Sequence, residues 1–112
     1  MDKIRFLMSD TGAEVTEACR EALEQKGVEV TVVEKDGLKV LQKMLTVRPQ
    51  VVLLDLRGVP FCDSSGIAAV LGRYKLVRNW GGKVVLHGLS PQVRKVLGLG
   101  GVFNLVKEVN QL

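Results

Sequence analysis

The chain has 112 residues, 46% of them apolar and 25% charged, which is the composition of one globular domain with one sizeable core. Its formal net charge of +4 is modest, and its lysines and arginines are scattered rather than clustered, so nucleic-acid binding is not expected. No apolar run approaches the roughly 20 residues of a membrane span, so membrane insertion is not expected either.

Runs of apolar and β-branched residues alternate with helical periodicities along the whole chain. The runs predict five strands, at residues 3–8, 28–34, 51–56, 83–87 and 103–106. The periodicities predict four helices, which begin at Thr11, Asp36, Ser64 and Ser90. Thr11 and Glu14 have the spacing of a capping box. Gly27 is predicted to end the first helix.

Each helix is expected to turn one apolar stripe towards the core. In the first helix the predicted stripe is Val15, Ala18, Cys19, Ala22 and Leu23. In the second helix it is Leu38, Leu41, Met44 and Leu45.

The strict alternation of strands and helices predicts a parallel sheet that is covered on both faces. Right-handed crossovers leave few topologies for such a sheet. We expect a three-layer α/β fold with a five-stranded parallel sheet of flavodoxin-like order 2-1-3-4-5 and helices on both faces. Residues 1–112 are expected to form a single domain.

The segment from Val51 to Gly66, VVLLDLRGVPFCDSSG, is the most informative part of the sequence. It passes from a strand that ends in Asp55, through a short loop, to Ser64 and Ser65 at the start of a helix. Unpaired backbone N–H groups and the helix dipole make that position favourable for a phosphate. The segment therefore predicts a phosphorylation switch rather than a catalytic centre. The alternative role for Ser64 is an ordinary N-cap.

From about Val51 onwards the chain resembles a STAS domain of the anti-sigma factor antagonist type. The resemblance rests on DLRGVPFCDSSGIAAVLGRYK, GGKVVLHGLSPQVRKVL and GLGGVF. In that family the serine after the aspartate is phosphorylated by an anti-sigma factor that acts as a kinase, and the unphosphorylated form binds that partner and frees the sigma factor. The resemblance implies that Ser64 is the phosphoacceptor, with Asp63, Ser65 and Gly66 completing the motif.

Residues 1–56 instead resemble a response-regulator receiver domain, on the stretches KIRFLMSD, EALEQKGVEV and VRPQVVLLDL. STAS domains open with a β-hairpin, whereas this half is strand–helix–strand–helix. In a receiver, Asp55 would accept the phosphate and Asp10 would be one of the Mg²⁺-binding acids. Ser9 stands where a second acid often lies, and the receiver's lysine after the fifth strand has no counterpart. Metal-assisted phosphorylation is therefore not expected, and capping of a nearby loop is the favoured role for Asp55.

The two resemblances meet at the third strand, which both families end with an aspartate in an LDL context. They predict a chimera-like chain with a receiver-like half (1–56) and a STAS-like half (57–112), of the kind an engineered protein would have. The first hypothesis is a non-enzymatic domain with no certain activity of its own. The second is an antagonist-type module that binds an anti-sigma factor kinase and is switched by phosphorylation of Ser64. The third is a degenerate receiver that accepts phosphate on Asp55.

The remaining reactive side chains do not form a recognisable site. No nucleophilic triad or paired-carboxylate site emerges, and His87 has no partner at metal-ligand spacing, so no catalytic residue, metal or cofactor is predicted. Cys62 precedes a helix start and is more readily explained as a small loop residue than as a reactive thiol. With Cys19 it makes two cysteines, too few for a disulfide framework, which favours reduced thiols in a cytoplasmic protein. A monomer is expected.

Overall fold

A computed structural model describes residues 3–10, 12–57 and 64–109. The strands are β1 (Arg5–Ser9), β2 (Glu29–Val33), β3 (Val51–Asp55), β4 (Lys83–His87) and β5 (Lys107–Val109). The helices are α1 (Ala13–Gln25), α2 (Gly37–Val47), α3 (Ser64–Arg78) and α4 (Pro91–Leu99), and a 3₁₀ turn covers Val102–Asn104.

The five strands form one sheet in the order β2-β1-β3-β4-β5, and each neighbouring pair is parallel. The predicted flavodoxin-like fold is therefore confirmed. Strand β3 lies at the centre, where Val52 pairs with Leu7 of β1 on one side and with Val84 of β4 on the other. Each half of the chain thus supplies a direct neighbour of the central strand.

The main hydrophobic core lies between the sheet and helices α2, α3 and α4. Successive strand residues point to opposite faces, so alternate residues of each strand enter this core. Its strand members include Leu7, Val33, Val52, Leu54, Val84 and Leu86, and its helical members include Val40, Met44, Val70, Val77, Val93 and Leu97. Helix α1 lies on the opposite face, where Met8 and Leu53 are buried.

Side-chain and backbone caps fix the helix ends. The Asp36 carboxylate accepts hydrogen bonds from the backbone N–H groups of Leu38 and Lys39, both at 3.0 Å. Ser90 caps α4 in the same way, with its Oγ 3.2 Å from the Val93 nitrogen. Gly27 follows α1 with φ +81°, a left-handed conformation that favours glycine. These starts and ends confirm the predictions. The predicted capping residue Thr11 lies outside the described residues.

The predicted inward faces of α1 and α2 are partly wrong. In α1 the buried residue is Thr16, while Val15 is 39% exposed. In α2 the buried residues are Val40 and Met44, and Leu38 and Leu45 are 65% and 53% exposed. The α2 sequence contains two overlapping apolar stripes at helical spacing, and periodicity alone does not decide which of them packs on the sheet.

The last strand also differs from the prediction. Residues 103–106 do not form it; the 3₁₀ turn occupies their start, and β5 begins at Lys107. Gly101 has φ +74° and turns the chain away from α4 before the 3₁₀ turn. Val106 is buried just ahead of the strand, and pairing of Lys107 with Val85 sets where the ladder starts. The apolar character of the segment reflects burial in a turn rather than a strand.

An ion pair attaches this edge strand to α4. Arg94 donates from Nε and Nη2 to the two carboxylate oxygens of Glu108, at 2.8 and 2.7 Å. This hydrogen bonding lowers the pKa of Glu108 and raises the pKa of Arg94. Two parallel hydrogen bonds of this kind fix orientation as well as distance, so the pair holds a strand of only three residues against the helix.

A side chain at Gly82, directly before β4, is expected to destabilise the fold because neighbouring atoms leave no room for a Cβ. A Cβ there would lie 2.4 Å from Cγ1 of Val77 and 2.8 Å from the backbone oxygen of Gln50. Gly82→Ala should therefore lower the free energy of unfolding by about 1–3 kcal/mol, measured by urea denaturation. Gly72→Ala is the matched control, because a Cβ at this α3 position meets open space and should stabilise by about 0.5–1 kcal/mol. Equal effects at the two sites would contradict this packing.

The Arg94–Glu108 pair predicts a pH-dependent contribution to stability. A carboxyl whose pKa is lower in the folded than in the unfolded protein stabilises above its unfolded pKa, and this stabilisation is lost as the pH falls through the folded pKa. At neutral pH, Glu108→Gln should therefore unfold more easily than the parent by about 0.5–1 kcal/mol. In a urea series at decreasing pH the difference should vanish. Glu24→Gln, at an exposed α1 position, is the control. A pH-independent difference would be inconsistent with this role.

Candidate functional site

A cleft of about 360 Å³ opens at the edge of the sheet where β1 and β3 end. Ligands of open α/β sheets bind at this carboxyl edge, because all the parallel strands end there. The apolar lining comes from Val40, Leu54, Leu56, Ala69, Val70 and Val93, and the polar lining includes Ser9, Lys35, Asp36, Asp55 and Arg73. Gly66, in the first turn of α3, also lines the cleft. The start of α3 and the end of β3 therefore meet at one place.

Asp55 is a buried carboxylate with cationic neighbours. Its side chain is 1% exposed, and its oxygens accept from the Arg57 backbone nitrogen at 2.9 Å and from Arg57 Nε at 3.2 Å, with Nη2 forming an ion pair at 3.1 Å. Lys35 Nζ lies 3.7 Å from the same carboxylate and also donates to the backbone oxygen of Arg57. A buried charge is tolerated when it is paired and hydrogen-bonded. Asp55 thus holds the turn after β3, as its capping interpretation requires.

Ser9 joins the ends of the two central strands. Its hydroxyl oxygen accepts a hydrogen bond from the backbone N–H of Asp55 at 3.1 Å, and the residue is buried. In the receiver resemblance this position would hold a metal-binding acid. Here it holds β1 against β3.

Asp10 lies at the end of β1, but its carboxylate is engaged by α1. Its Oδ1 accepts from the backbone nitrogen of Gly12 at 3.0 Å and from the hydroxyl of Thr16 at 2.8 Å. These two hydrogen bonds lower the pKa of Asp10, and the one from Gly12 has the larger effect. The hydrogen bonds of this carboxylate within the described residues all go to the start of α1. They do not join Asp10 to Asp55.

The donor set at this edge does not fit a receiver-type Mg²⁺ site. Magnesium in proteins prefers carboxylate oxygens and water in octahedral arrangement. The oxygens of Asp55 are occupied by Arg57 and Lys35, and Oδ1 of Asp10 is occupied by hydrogen bonds from the start of α1. Among the described residues, no three His, Cys, Asp or Glu side chains are grouped to hold a metal ion. This edge therefore does not provide the donor atoms of a receiver-type Mg²⁺ site.

Ser64 and Ser65 are the first two residues of α3, so the helix begins where the sequence indicates. The first turn of this described helix carries no acidic side chain, while Lys75 and Arg78 lie in the last turn. The positive end of the helix dipole is thus not already neutralised by a carboxylate of its own first turn. Asp63 and Cys62 lie outside the described residues. Their predicted roles stay predictions.

Three cations at this edge were not singled out in the sequence. Lys35 and Arg57 each follow a strand by two residues, and Arg73 donates to the backbone oxygen of Gly37 at 3.0 Å. The sequence could have indicated Lys35 and Arg57, because parallel strands place the residues that follow them at the same edge of the sheet. Arg73 could be identified only from the structure, because it reaches this edge through the packing of α3 beside α2.

His87 has a structural contact at the end of β4. Its Nδ1 lies 2.9 Å from the backbone oxygen of Val109, which ties β4 to the edge strand.

Within the described part of the chain, no helix is both long and apolar enough to cross a membrane.

The sequence pattern of the STAS domain family matches residues 13–111, so the chain belongs to the STAS domain family. It is 37% identical over 65 residues to an anti-sigma F factor antagonist of Paenibacillus polymyxa, covering 54% of this chain and 56% of that protein. A second such antagonist, from Lysinibacillus sphaericus, is 37% identical over 51 residues, covering 46% of this chain and 44% of that protein. The chain spans about half the length of these curated relatives.

Solved structures with the same fold are receiver domains. The chemotaxis response regulator CheY4 of Vibrio cholerae superposes with a TM-score of 0.70 at 16% identity, over 97% of this chain and 87% of that one. A CheY-like receiver domain from Methanospirillum hungatei JF-1 gives 0.70 at 19% identity, over 97% and 82%. At these identities the likeness shows a shared flavodoxin-like fold only.

The family match bears on the predicted junction between residues 56 and 57. It begins at residue 13 and therefore covers most of the half that resembles a receiver. One family pattern across both halves gives no support to separate origins for them. The chimera interpretation is not supported by this match, and the receiver-like character of residues 1–56 is shown for the fold alone.

Asp55 is expected not to accept a phosphoryl group from acetyl phosphate and Mg²⁺. Its carboxylate is held by Arg57 and Lys35, and among the described residues no group of three His, Cys, Asp or Glu side chains could hold the metal. Intact-mass measurement after incubation should show the unmodified mass, while CheY4 of Vibrio cholerae under the same conditions serves as the positive control. A hydroxylamine-sensitive phosphoryl adduct that disappears in Asp55→Asn would show this view of the site to be wrong.

Proposed function

We propose that the chain is a regulatory module of the anti-sigma factor antagonist type, which binds an anti-sigma factor kinase and is switched by phosphorylation of Ser64. The observation that carries the proposal is membership of the STAS family together with 37% identity to two anti-sigma F factor antagonists. In this role the chain is the substrate and binding partner of a kinase and performs no chemistry itself.

The start of α3 supports a phosphate on Ser64. A phosphoserine carries about −1.5 to −2 charges at neutral pH, and its oxygens accept hydrogen bonds from backbone N–H groups at a helix N-terminus. The first turn of α3 has no carboxylate that would repel it.

The surface around the start of α3 supports a switch in binding. Lys35 and Arg57 remain 40% and 45% exposed although both face the Asp55 carboxylate. Both side chains are thus available to pair with acidic groups of a partner surface. A doubly charged phosphate beside them would compete for these cations, and like charges across an interface weaken binding. Phosphorylation would thus release a partner that binds the unmodified form.

A non-enzymatic domain that combines receiver-like and STAS-like fragments, with no activity of its own, is the second candidate. It is favoured by the parallel pairing of β1 with both β2 and β3, which differs from the β-hairpin opening implied by the STAS resemblance. In this candidate Ser64 acts only as the first residue of a helix, and the protein neither binds nor is modified by an anti-sigma factor.

Phosphorylation by an anti-sigma factor separates the two candidates. Incubated with the anti-sigma F factor of Paenibacillus polymyxa and ATP, the protein should gain one phosphoryl group, which Ser64→Ala should abolish. Peptide mass mapping should place the group on Ser64 rather than on Ser65.

Ser90→Ala is the matched control. It removes the hydroxyl from another helix start and loses the cap to Val93, yet it should be phosphorylated like the parent. Ser64→Asp should fold and bind the partner weakly, as read by calorimetry. A folded protein that forms no complex and takes no phosphate would refute the proposal in favour of the second candidate.

A further inference from the structure

The two faces of the sheet are covered to different extents. On the face towards α2, α3 and α4, Val84 and Leu86 of β4 are 3% and 0% exposed. On the other face, the intervening Val85 and His87 of the same strand are only half-buried. Val109 of β5 is half-buried as well. The burial of alternate strand residues therefore indicates a helical layer on one face of the sheet and an incomplete layer on the other.

One helix is too narrow to cover this second face. Strands are spaced about 4.8 Å apart and a helix with its side chains is about 10 Å wide, so α1 spans roughly two of the five strands. Helix α1 lies against β2, and the fully buried residues of this face are Met8 of β1 and Leu53 of β3. Among the described residues, the part of the face over β4 and β5 therefore has only partial cover. We call it the open half-face; its residues are Lys83, Val85, His87, Lys107 and Val109.

The open half-face combines two half-buried valines, Val85 and Val109, with a basic rim. Its two lysines, Lys83 and Lys107, are exposed, and neither takes part in an ion pair within the described part of the chain. No acidic side chain belongs to it. An apolar surface with a rim of one sign selects a partner surface of the opposite sign.

Helix α1 of the same chain has that opposite sign. It carries four glutamates against one arginine in a chain whose net charge is +4. Glu17 pairs with Arg20, whereas Glu14 and Glu21 are exposed and form no ion pair among the described residues. Ala18 and Ala22 are exposed beside them and leave room for close approach. The side of α1 turned away from its own sheet is therefore small and acidic.

We propose that this face, in contrast to the monomer expected from the sequence, is the interface of a symmetric homodimer, in which α1 of each protomer lies over the open half-face of its partner. A twofold contact requires one patch that carries both complementary features, and here α1 and the open half-face lie side by side on the same face. Each Glu14 and Glu21 would then face Lys83 and Lys107 of the other copy. The second copy completes the layer that α1 alone leaves incomplete.

The dimer is independent of the switch proposed for Ser64. Helix α3 and the cleft lie on the opposite face of the sheet, so the interface leaves the phosphoacceptor accessible. A monomer that is phosphorylated on Ser64 would refute the dimer alone. A dimer that is never phosphorylated would refute the switch alone.

Sedimentation equilibrium of the full chain over a concentration series tests the dimer. The parent should fit a monomer–dimer equilibrium that weakens as salt is added, because the charge pairs are screened. Glu14→Lys with Glu21→Lys, and separately Lys83→Glu with Lys107→Glu, should each raise the dissociation constant by about 100-fold or more.

An equimolar mixture of the two charge-reversed proteins should associate again, because each restores the opposite charge for the other. Lys75→Glu with Lys95→Glu, at exposed positions of α3 and α4 on the other face, is the control and should dimerise like the parent. Circular dichroism confirms that each variant is folded. A parent protein that is monomeric throughout the series, or charge-reversed proteins that still dimerise alone, would overturn the proposal.

Discussion

The structure depends on β3, the central strand of the sheet, which pairs with β1 on one side and with β4 on the other. Val52 and Leu54 of this strand lie in the main core, and Leu53 is buried on the other face. Its neighbours β1 and β4 come from opposite sides of the predicted junction, so the two resemblances share one interior. At its carboxyl end Asp55 is paired with Arg57 and Lys35, which fixes the start of the loop towards α3. One strand thus positions both core and candidate site.

Sheet order and most helix starts could be predicted because they depend on local signals. Continuous apolar strands require burial on both faces, and caps such as Asp36 and Ser90 satisfy backbone groups within one turn. The exposed Leu38 and the position of β5 could not be predicted, since both are decided by tertiary packing. The register of β5 follows from its pairing with β4 and from the Arg94–Glu108 contact, which are distant in sequence from the apolar run that suggested residues 103–106.

The candidate site was predicted in part. The start of α3 at Ser64 follows from the sequence, because serine is common at helix starts and an apolar stripe at helical spacing follows it. The surroundings of Asp55 required the fold, because Lys35 is twenty residues away and becomes a neighbour only through the pairing of parallel strands. The incomplete layer over β4 could not be predicted from the sequence either, because a half-buried valine such as Val85 cannot be told from a fully buried one by residue type.

Native-state amide hydrogen exchange tests the shared interior most directly. If β3 joins both halves into one cooperative unit, the amides of Leu7 in β1, Leu53 in β3 and Leu86 in β4 should exchange only through global unfolding. Their free energies of exchange should then be equal and should match the free energy of unfolding measured with urea. Exchange of β1 and β2 at a distinctly lower free energy, while β4 stays protected, would mean that the halves before and after residue 56 unfold separately and would contradict the account.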